Sequence, residues 1–537
     1  MECRSLPFRQ LPHQSKLFLQ FLDHFPAVKQ FYGHPPSFDS VKEEARYLEY
    51  PSARRASIAA ILNEQNAVLG AGEPARKNLA RFANGAVAVV SGQQVGLFGG
   101  PAYSLYKAAS AIQIARELTR AGVDAVPIFW MATEDHDLDE VRTSTWFHKG
   151  NLLHLELPGN GDAGLPVGKI ALGPEIQPLL EHAAAILEEA GGGLLAGILR
   201  ESFSPQETYG TAFGKLFARL FAEHGLILLD PLDARLHRAG ADILVKAAAD
   251  RDSLVEALLS RGKELDKAGY AAQVKVTSRS TLLFKLGSGL REPISFSGGK
   301  FVAGQRSWSR AELAEAVHAE PEEFSPNALL RPVLQDYLLP TAAYIGGAAE
   351  IAYFAQAEVL YKKLLGRMPV VLPRAAYTFL DAKPEKLLKR YELSVEDVWR
   401  GSQELRRAME AANVPKTLAR NLDKTRKEAE RALDKLKKQI VRLDATLGGA
   451  VETTRKKIVF QLEKLKRKAG KAQALKESLL DGHQHFLESW FYPHKALQER
   501  ELCFLPLLAK LGPEGLNDLL KLSGSEALDA HKIVRLP

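Results

Sequence analysis

The stretch 87-VAVVSGQQVGLFGGPAYSLYKAASAIQIARELTRAGVDAVPIFWMATEDHD-137 decides the fold class of this chain. It holds two apolar runs, residues 86–90 and 126–131, and between them residues 103–121 place their apolar side chains on one helical face. Gly122 is a typical helix stop. A strand, a helix and a strand with short joints form a βαβ unit, which predicts parallel strands in an α/β sheet.

Polar residues follow the first apolar run, in the segment SGQQVGLFGGP. The carboxyl ends of parallel strands are where open sheets bind ligands, so Gln93 and Gln94 are candidate substrate-binding residues. Gly99 and Gly100 allow close backbone approach, and the helix that follows would offer free N–H groups to an anion. The glycines could equally serve only a tight strand-to-helix turn, and the segment matches neither GxxxxGK[ST] nor GxGxxG.

Tyr103 and Lys107 lie four residues apart and share one face of the predicted helix. Lys107 would need its long stem to reach back towards the sheet edge, where both residues become candidates for substrate binding. The alternative is an ordinary surface lysine whose stem covers apolar surface.

The second apolar run ends in 133-TEDHD-137. If this segment stays extended, Glu134 and His136 point one way and Asp135 and Asp137 the other. A carboxylate beside an imidazole raises its basicity, so we expect His136 to be a general base or substrate binder supported by Asp135 or Asp137, and Glu134 is a further catalytic candidate. A metal site and a helix-capping acidic turn are the alternatives, and we expect no metal because no second His or Cys cluster stands nearby in sequence.

A third cluster lies in 331-RPVLQDYLLPTAAYIGGAAEIAYFAQ-356. A Gly-Gly pair with a tyrosine before it and a glutamate after it suits binding of an amino acid's ammonium and carboxylate groups, although a glycine-rich turn with core tyrosines is the alternative. The candidate substrate-binding residues of this segment are Arg331, Gln335, Asp336, Tyr344, Gly346, Gly347 and Glu350.

Residues 417–480 have a different pattern. Apolar residues at 429, 433, 436, 440, 443 and 447 alternate steps of four and three, and the pattern resumes after Gly448-Gly449, which predicts an antiparallel helical hairpin. This segment holds 18 Lys and Arg against 8 Asp and Glu, so it carries +10 of a total net charge of +7, and the rest of the chain sums to −3. A solvated face, polyanion binding and a nucleotide phosphate site at the hairpin base are the possible roles of this charge.

Composition narrows the class of protein. The chain has 537 residues, of which 46% are hydrophobic and 25% charged, and it has two cysteines, Cys3 and Cys503. Two cysteines cannot form a disulfide framework, no run of 18 uncharged apolar residues is present, and the first residues lack a signal-peptide pattern. We therefore expect a cytoplasmic protein without a membrane span.

Taken together, SGQQVGLFGGPAYSLYKAASAI, PIFWMATEDHDLDEV, the segment 327–356, MPVVLPR and LQER resemble the bacillithiol biosynthesis cysteine-adding enzyme family. The resemblance implies a Rossmann-like parallel-sheet core with two connecting insertions, near residues 150–205 and 270–325, and an antiparallel helical coiled-coil domain. On this basis we assign the core to residues 1–383, the coiled-coil domain to 384–482, and a C-terminal segment that packs back on the core to 483–537.

The resemblance also implies an activity: a ligase that adds L-cysteine to glucosaminyl-malate. It implies ATP or ADP as a nucleotide, with His494, Gln498 and Arg500 as candidate nucleotide-binding residues, and a homodimer formed through the coiled coil. The chain has no clear HxGH or KMSKS-type segment, with which similar synthetases handle ATP. A nucleic-acid-binding protein that uses the basic hairpin is an alternative, disfavoured because Phe460 is its one aromatic residue for base stacking. A non-catalytic dimeric scaffold is the other.

Overall fold

The structure is a computed structural model that describes residues 2–159, 164–287, 290–477 and 479–537. The chain divides into two units. The first consists of Met1–His148, Leu153–Phe379 and Glu499–Pro537, and the second consists of Lys149–Leu152 and Leu380–Gln498.

A five-stranded parallel sheet forms the centre of the first unit. Its strands are β1 (Val87–Gln93), β2 (Ala125–Met131), β3 (Ile227–Leu229), β4 (Thr341–Gly346) and β5 (Val370–Pro373). Their spatial order is β5-β4-β1-β2-β3, and every neighbouring pair is parallel. This is the strand order of Rossmann-like folds, in which the chain reverses its direction of winding between β1 and β4. The predicted fold class is confirmed.

Burial on both faces explains why β1 and β2 read as continuous apolar runs. All residues of β2 are buried, and so is β1 up to Gly92. Helix α1 (Ala102–Arg120) packs on these strands and connects them. Near the end of β1, Gly92 lies so close to β2 that a Cβ atom would come 2.6 Å from the Trp130 carbonyl oxygen, so this position requires glycine.

The remaining strands of the described residues form three other sheets. An antiparallel sheet lies within the predicted second insertion and has the order Arg306–Trp308, Lys300–Ala303, Leu290–Ser297, Ser280–Gly287 and Phe324–Pro326. Cys3–Pro7, Ala530–Arg535 and Ala376–Leu380 form a three-stranded sheet, in that order. Thr143–His148 and Asn151–Glu156 form a two-stranded sheet.

Helices cover the central sheet. Besides α1, one other helix matters for the site: α2 (Ala348–Leu364), which follows β4. The other helices of the first unit are Lys16–Asp23, Phe38–Tyr47, Ser52–Val68, Glu73–Ala83, Leu138–Val141, Ile176–Glu189, Gly193–Ser202, Tyr209–Leu220, Ala234–Ala249, Arg251–Lys267, Arg310–Ala319, Arg331–Leu338, Leu505–Leu511 and Gly515–Leu522, with Gln498–Glu501 at the boundary between the units. Among the described residues, none of the helices is long and apolar enough to cross a membrane.

The second unit is helical. Its two longest helices, Lys416–Leu443 and Gly448–Glu477, pack against each other as the predicted hairpin. Lys437 forms an ion pair with Glu452 on the opposite arm at 2.7 Å, and Leu433 and Val451 are buried. The remaining helices of this unit are Ala382–Arg390, Val395–Val398, Ser402–Ala412 and Leu480–Phe491.

Candidate functional site

A cavity of about 340 Å³ lies at the carboxyl ends of β1 and β4. Its wall includes Gly92 and Gln93 from β1, Tyr344 from β4, and the first residues of α2. Crevices at this position, where the winding of the sheet reverses, are the usual ligand-binding places of such folds. We call it the switch-point cavity.

Lys107 is buried in the wall of this cavity, with 3% of its surface exposed. Its Nζ donates hydrogen bonds to the Gly92 carbonyl oxygen and to Gln93 Oε1, both at 2.8 Å. It also forms an ion pair with Glu350 Oε2 at 2.5 Å. A buried ammonium group is tolerated only when it is paired and hydrogen-bonded in this way. The lysine is therefore part of the cavity wall and not a surface residue.

Glu350 collects donors from three parts of the chain. Its Oε2 accepts from the Gly347 N–H at 2.7 Å, and its Oε1 accepts from the Tyr344 hydroxyl at 2.5 Å. Burial alone would raise the pKa of Glu350, but Lys107 and these donors outweigh it and hold the pKa below the ordinary value. The carboxylate thus stays charged and fixes the start of α2.

Tyr103 lies on the same wall and accepts a hydrogen bond from Gln93 Nε2 at 3.1 Å. Burial raises the pKa of Tyr103 to about 12, so its phenol is neutral at physiological pH. Gln93, Tyr103, Lys107, Tyr344 and Glu350 therefore form one connected polar wall, and the sequence predicted all five as site residues.

Three arginines face the same cavity: Arg331, Arg374 and Arg500. Arg331 donates to the Tyr353 hydroxyl at 2.9 Å, and Arg374 forms a two-pronged, buried pair with Glu499 at 2.7 and 3.0 Å. Arg374 also lies 5.4 Å from the centre of the Tyr103 ring. Glu499 already occupies the fork of Arg374. Guanidinium groups bind carboxylates and phosphates in matching planar geometry, so Arg331 and Arg500 are the arginines of this cavity that suit an anionic ligand.

A second cavity, of about 530 Å³, adjoins the first. Glu134 from the end of β2 and Arg291 from the antiparallel sheet contribute to its wall. We call it the insertion cavity. The residues that line both cavities are Trp130, Ala132, Asp135, Arg331 and Tyr353.

Asp135 is held at this junction by Gln94. The Gln94 Nε2 donates to Asp135 Oδ2 at 2.8 Å and to Glu140 Oε2 at 2.7 Å. Asp135 is the carboxylate that both cavities share among the described residues. Two ligands, one in each cavity, would meet beside it.

The expected extended conformation of 133-TEDHD-137 is corrected by the structure. Strand β2 ends at Met131, where its pairing with β1 ends, and a turn follows, so alternation of side chains no longer applies. Asp137 caps the helix Leu138–Val141 by accepting from the Glu140 N–H at 3.2 Å. Asp137 thus has the helix-capping role that was the alternative to catalysis, and its carboxylate does not support His136.

His136 and Glu134 have separate environments. The side chain of His136 is 44% exposed, and its Nδ1 lies 3.6 Å from Asp135 Oδ1 and 3.5 Å from an Arg291 nitrogen. His136 itself lines neither cavity in the described part of the chain. Glu134 is buried, 3.1 Å from Nε2 of His237. Burial would lower the pKa of His237, but Glu134 outweighs it and raises that pKa.

The glycine turn after β1 lies in the core. Gly99 and Gly100 have φ angles of 89° and 72° and line neither described cavity, and a Cβ at Gly99 would lie 2.6 Å from the Phe504 ring. The expectation of a free N–H group at the start of α1 is wrong for Ala102, because its N–H donates to the Leu502 carbonyl at 2.8 Å. These glycines make a tight turn against packed side chains.

Three predicted residues lie behind the cavity wall and hold the arginines that line it, directly or through one another. Gln335 accepts from Arg331 Nη1 at 3.2 Å and donates to Asp336 Oδ1 at 3.0 Å, and both residues are buried. Burial raises the pKa of Asp336. The Gly346 carbonyl accepts from the Arg374 N–H at 2.9 Å. These residues orient the arginines, while Gly347 lines the switch-point cavity directly.

The candidate nucleotide-binding residues fall in different units. Arg500 belongs to the first unit and lines the switch-point cavity. His494 and Gln498 belong to the second, where His494 is exposed and Gln498 is buried and donates to the Trp490 carbonyl at 2.9 Å. Within the described ranges, no group of three or more His, Cys, Asp or Glu side chains is arranged to hold a metal ion.

No local sequence pattern singles out four residues of these surroundings: Arg291, His237, Arg374 and Glu499. Arg374 and Glu499 do occur in the short segments MPVVLPR and LQER, which carry part of the resemblance. No local pattern could pair them, because 125 residues separate them.

Comparison with known proteins covers nearly the whole chain. Residues 1–375 match the family model described as "Bacillithiol biosynthesis BshC, N-terminal Rossmann-like domain", and residues 377–536 match "Bacillithiol biosynthesis BshC, C-terminal coiled-coil domain". A relative from Koribacter versatilis named "Putative cysteine ligase BshC" is 39% identical over 99% of each chain. Relatives of the same name from Solibacter usitatus and Salinibacter ruber are 36% and 31% identical, over 95% and 96% of this chain and 96% of each relative.

Proposed function

Because the chain belongs to the bacillithiol biosynthesis BshC family, we propose that it is a cysteine ligase that joins the carboxyl group of L-cysteine to the amine of glucosaminyl-malate. The observation that carries this proposal is the pair of adjoining cavities with Asp135 at their junction. Amide formation needs two ligands whose reactive groups meet, and the two cavities provide space for one ligand each.

Arg331 lines both cavities, so it is the residue best placed to bind a carboxylate of either substrate. Arg291 in the insertion cavity is a second carboxylate-binding candidate. Burial lowers the pKa of Arg291, which Glu134 and Asp135 partly oppose, so an incoming anion would further stabilise its charge. The anionic malate part of the amine substrate matches such a lining.

The amine must lose a proton as it attacks. In the proposed reaction its nitrogen forms the C–N bond at the activated carboxyl carbon, the leaving group departs with the bonding electrons, and the proton moves to Asp135. His136, 3.6 Å from Asp135, would share that proton and pass it to solvent. Positioned acid–base groups of this kind accelerate reactions roughly 10²- to 10⁴-fold.

A free carboxylate does not form an amide without activation, and we propose that ATP supplies it by converting the carboxylate oxygen into a leaving group. The donor set of the switch-point cavity fits a phosphate group. Arg500 and the N–H groups in the first turn of α2 would hold it, because first-turn N–H groups have no acceptor within their helix. Of the three nucleotide-binding candidates, Arg500 is the one that we retain for this cavity.

The experiment is a direct assay. Purified full-length protein is incubated with L-cysteine, glucosaminyl-malate and ATP, and the amide product is detected by mass spectrometry. We expect product with L-cysteine, little with L-serine, and none when ATP is omitted. Absence of product with ATP, GTP and other nucleoside triphosphates would contradict the proposed function.

We also propose a homodimer and a cytoplasmic location. Several large apolar side chains of the hairpin are exposed, among them Leu436 at 46%, Leu465 at 53% and Phe460 at 56%. Leu436 and Leu465 occupy heptad positions, which usually bury such side chains against a partner helix. The cytoplasmic location is supported by the presence of two free cysteines and by a thiol-containing substrate, which both suit a reducing compartment.

A further inference from the structure

A third cavity, of about 450 Å³, lies at the opposite end of the central sheet. Its floor is the start of β2, at Ala125 and Pro127, and its walls come from the helix Glu73–Ala83 and the C-terminal half of α1. Strand β2 has seven residues, so it spans about 20 Å between this cavity and the switch-point cavity. We call it the amino-end cavity.

The wall of the amino-end cavity is strongly basic. Lys77, Arg81, Arg116 and Arg120 contribute to it. Among the described residues that line it, Glu223 alone carries a carboxylate. The two helices bring these cations together because each presents two of them, four residues apart, on the face that lines the cavity.

The donors of Arg81 are already used in contacts within the protein. Its guanidinium donates to Asp124 at 2.9 Å, to Asn78 at 2.7 Å, to Thr119 at 2.8 Å and to the Ala125 carbonyl at 3.0 Å. This residue therefore serves as a rigid wall, and its charge is neutralised by Asp124.

Arg116 is in the opposite situation. It is half-buried, and within the described part of the chain no carboxylate lies within ion-pair distance of it. Its described contacts use one nitrogen, Nη2, which lies 3.1 Å from Nδ1 of His224. Burial, reinforced by the nearby charge of Arg120, lowers the pKa of Arg116. The remaining donors of its fork are available to a ligand.

His224 adds a neutral donor. Burial and the charge of Arg116 lower the pKa of His224 to about 4, so the imidazole is neutral at physiological pH. Because Arg116 can only donate, Nδ1 of His224 accepts, and the proton sits on Nε2. The cavity thus combines a neutral imidazole with three cations, Lys77, Arg116 and Arg120, that have no carboxylate partner among the residues that the structure describes.

We propose that the amino-end cavity binds a small molecule that carries a phosphate group. A dianionic phosphate would pair with two of the three free cations and would use the planar fork of Arg116, while a single carboxylate would leave most of this charge uncompensated. The volume of about 450 Å³ is within the usual range of small-molecule sites. The amino-end cavity is separate from the proposed ligase site, and this proposal does not depend on the proposed function.

The test is calorimetric titration of the full-length protein with pyrophosphate and with inorganic phosphate. We expect pyrophosphate to bind, and we expect Arg116→Gln to weaken its Kd roughly tenfold or more, as loss of a charged hydrogen bond does. Glu223→Gln should tighten binding about two- to threefold, because it removes the opposing charge. Arg200→Gln is the matched control, since it removes one exposed arginine charge elsewhere, on the helix Gly193–Ser202.

Three results would overturn the proposal: no binding of pyrophosphate up to 10 mM (about 2.7 kcal/mol at that Kd), binding of malonate as tight as that of pyrophosphate, or binding that survives Arg116→Gln and is lost in Arg331→Gln. The last result would place the anion in the switch-point cavity. Should Arg116→Gln fail to fold, Arg120→Gln replaces it, because Arg120 is exposed and its loss leaves the core intact.

Discussion

At the scale of single residues, the pair Lys107–Glu350 links the parts of the candidate site. Lys107 belongs to α1 and holds the end of β1 through Gly92 and Gln93, while Glu350 belongs to α2 and holds its first turn. Removing one partner of such a buried pair leaves an uncompensated charge, which costs about 3–5 kcal/mol. The geometry of the switch-point cavity therefore depends on both residues.

We expect Lys107→Met to lower the free energy of unfolding by about 3 kcal/mol, because Glu350 would remain buried without its cation. The double variant Lys107→Met/Glu350→Gln should lose less than the sum of the two single variants. Urea denaturation measures all three, and Lys362→Met, which alters an exposed lysine of the same helix as Glu350, is the control. Strictly additive losses would show that the pair is not coupled.

Asp135 is the residue on which the proposed chemistry depends most. We expect Asp135→Asn to lower kcat roughly 10²- to 10⁴-fold with little change in KM, since the asparagine can still accept from Gln94 but cannot take a proton. Steady-state kinetics of the ligase assay measure this, with Asp139→Asn, an exposed neighbour, as control. An Asp135→Asn enzyme that keeps more than a tenth of wild-type kcat would exclude Asp135 as proton acceptor.

At the scale of secondary-structure elements, the terminal strand Ala530–Arg535 is anchored through a buried histidine. His531 Nε2 lies 2.8 Å from the Thr378 hydroxyl, in the sheet that joins both chain ends to Ala376–Leu380. Burial lowers the pKa of His531 to about 4, from an ordinary value of 6.5, with Glu499 and Arg374 acting in opposite directions. The folded state thus holds this imidazole neutral.

A pH dependence follows from His531. Between pH 6.5 and 4 the unfolded chain binds a proton that the folded chain does not, so stability is complete above pH 6.5 and falls as the pH drops towards 4. The loss amounts to about 3 kcal/mol at pH 4. Urea denaturation at pH 7 and pH 4.5 should show a smaller fall in the His531→Asn variant than in the wild type. Equal falls would mean that His531 does not contribute.

One arm of the helical hairpin makes a close contact with a third helix, and a single added methyl group should disrupt it. Gly470 lies where the helix Gly448–Glu477 touches the helix Ser402–Ala412, and a Cβ there would overlap the Glu410 carbonyl. Gly449, in the same long helix, has open space around it. A side chain therefore has no space at Gly470 but has space at Gly449 of the same helix.

We expect Gly470→Ala to lower the melting temperature of the protein, because overpacking costs about 1–3 kcal/mol. Gly449→Ala should leave it unchanged or raise it slightly, since alanine is favoured over glycine in helices by up to about 1 kcal/mol. Differential scanning calorimetry compares the two variants. A Gly470→Ala protein as stable as Gly449→Ala would show that the helices can separate at no cost.

At the scale of the whole molecule, the exposed apolar residues of the hairpin predict its assembly. We expect a homodimer at micromolar concentration, measured by light scattering coupled to size-exclusion chromatography. Leu436→Glu/Leu465→Glu should yield monomer without loss of helix content, because both side chains are exposed within one chain. A wild-type monomer would contradict the proposed dimer.

The βαβ unit and the helical hairpin were predictable because they depend on local periodicity. Apolar residues repeat continuously in β1 and β2, on one face in α1, and in alternating steps of three and four in the hairpin. Polar residues at or shortly after strand ends, such as Gln93 in β1 and Glu350 in the first turn of α2, were predictable for a related reason: the carboxyl ends of parallel strands meet at one edge of a sheet. The sequence alone therefore determined the class of fold and the edge of the sheet at which the candidate site lies.

Only the tertiary structure decided which side chains meet. The strand order β5-β4-β1-β2-β3 brings Lys107 to Glu350 and Arg374 to Glu499, although no local pattern links those positions. The same packing buries Lys107, for which a surface position was the alternative. It also places Gly99 against Phe504 in the core, although an anion-binding turn was expected there. Both outcomes depend on neighbours far away in sequence. Periodicity reports how one segment is solvated, whereas pairing between distant segments depends on how the whole chain packs.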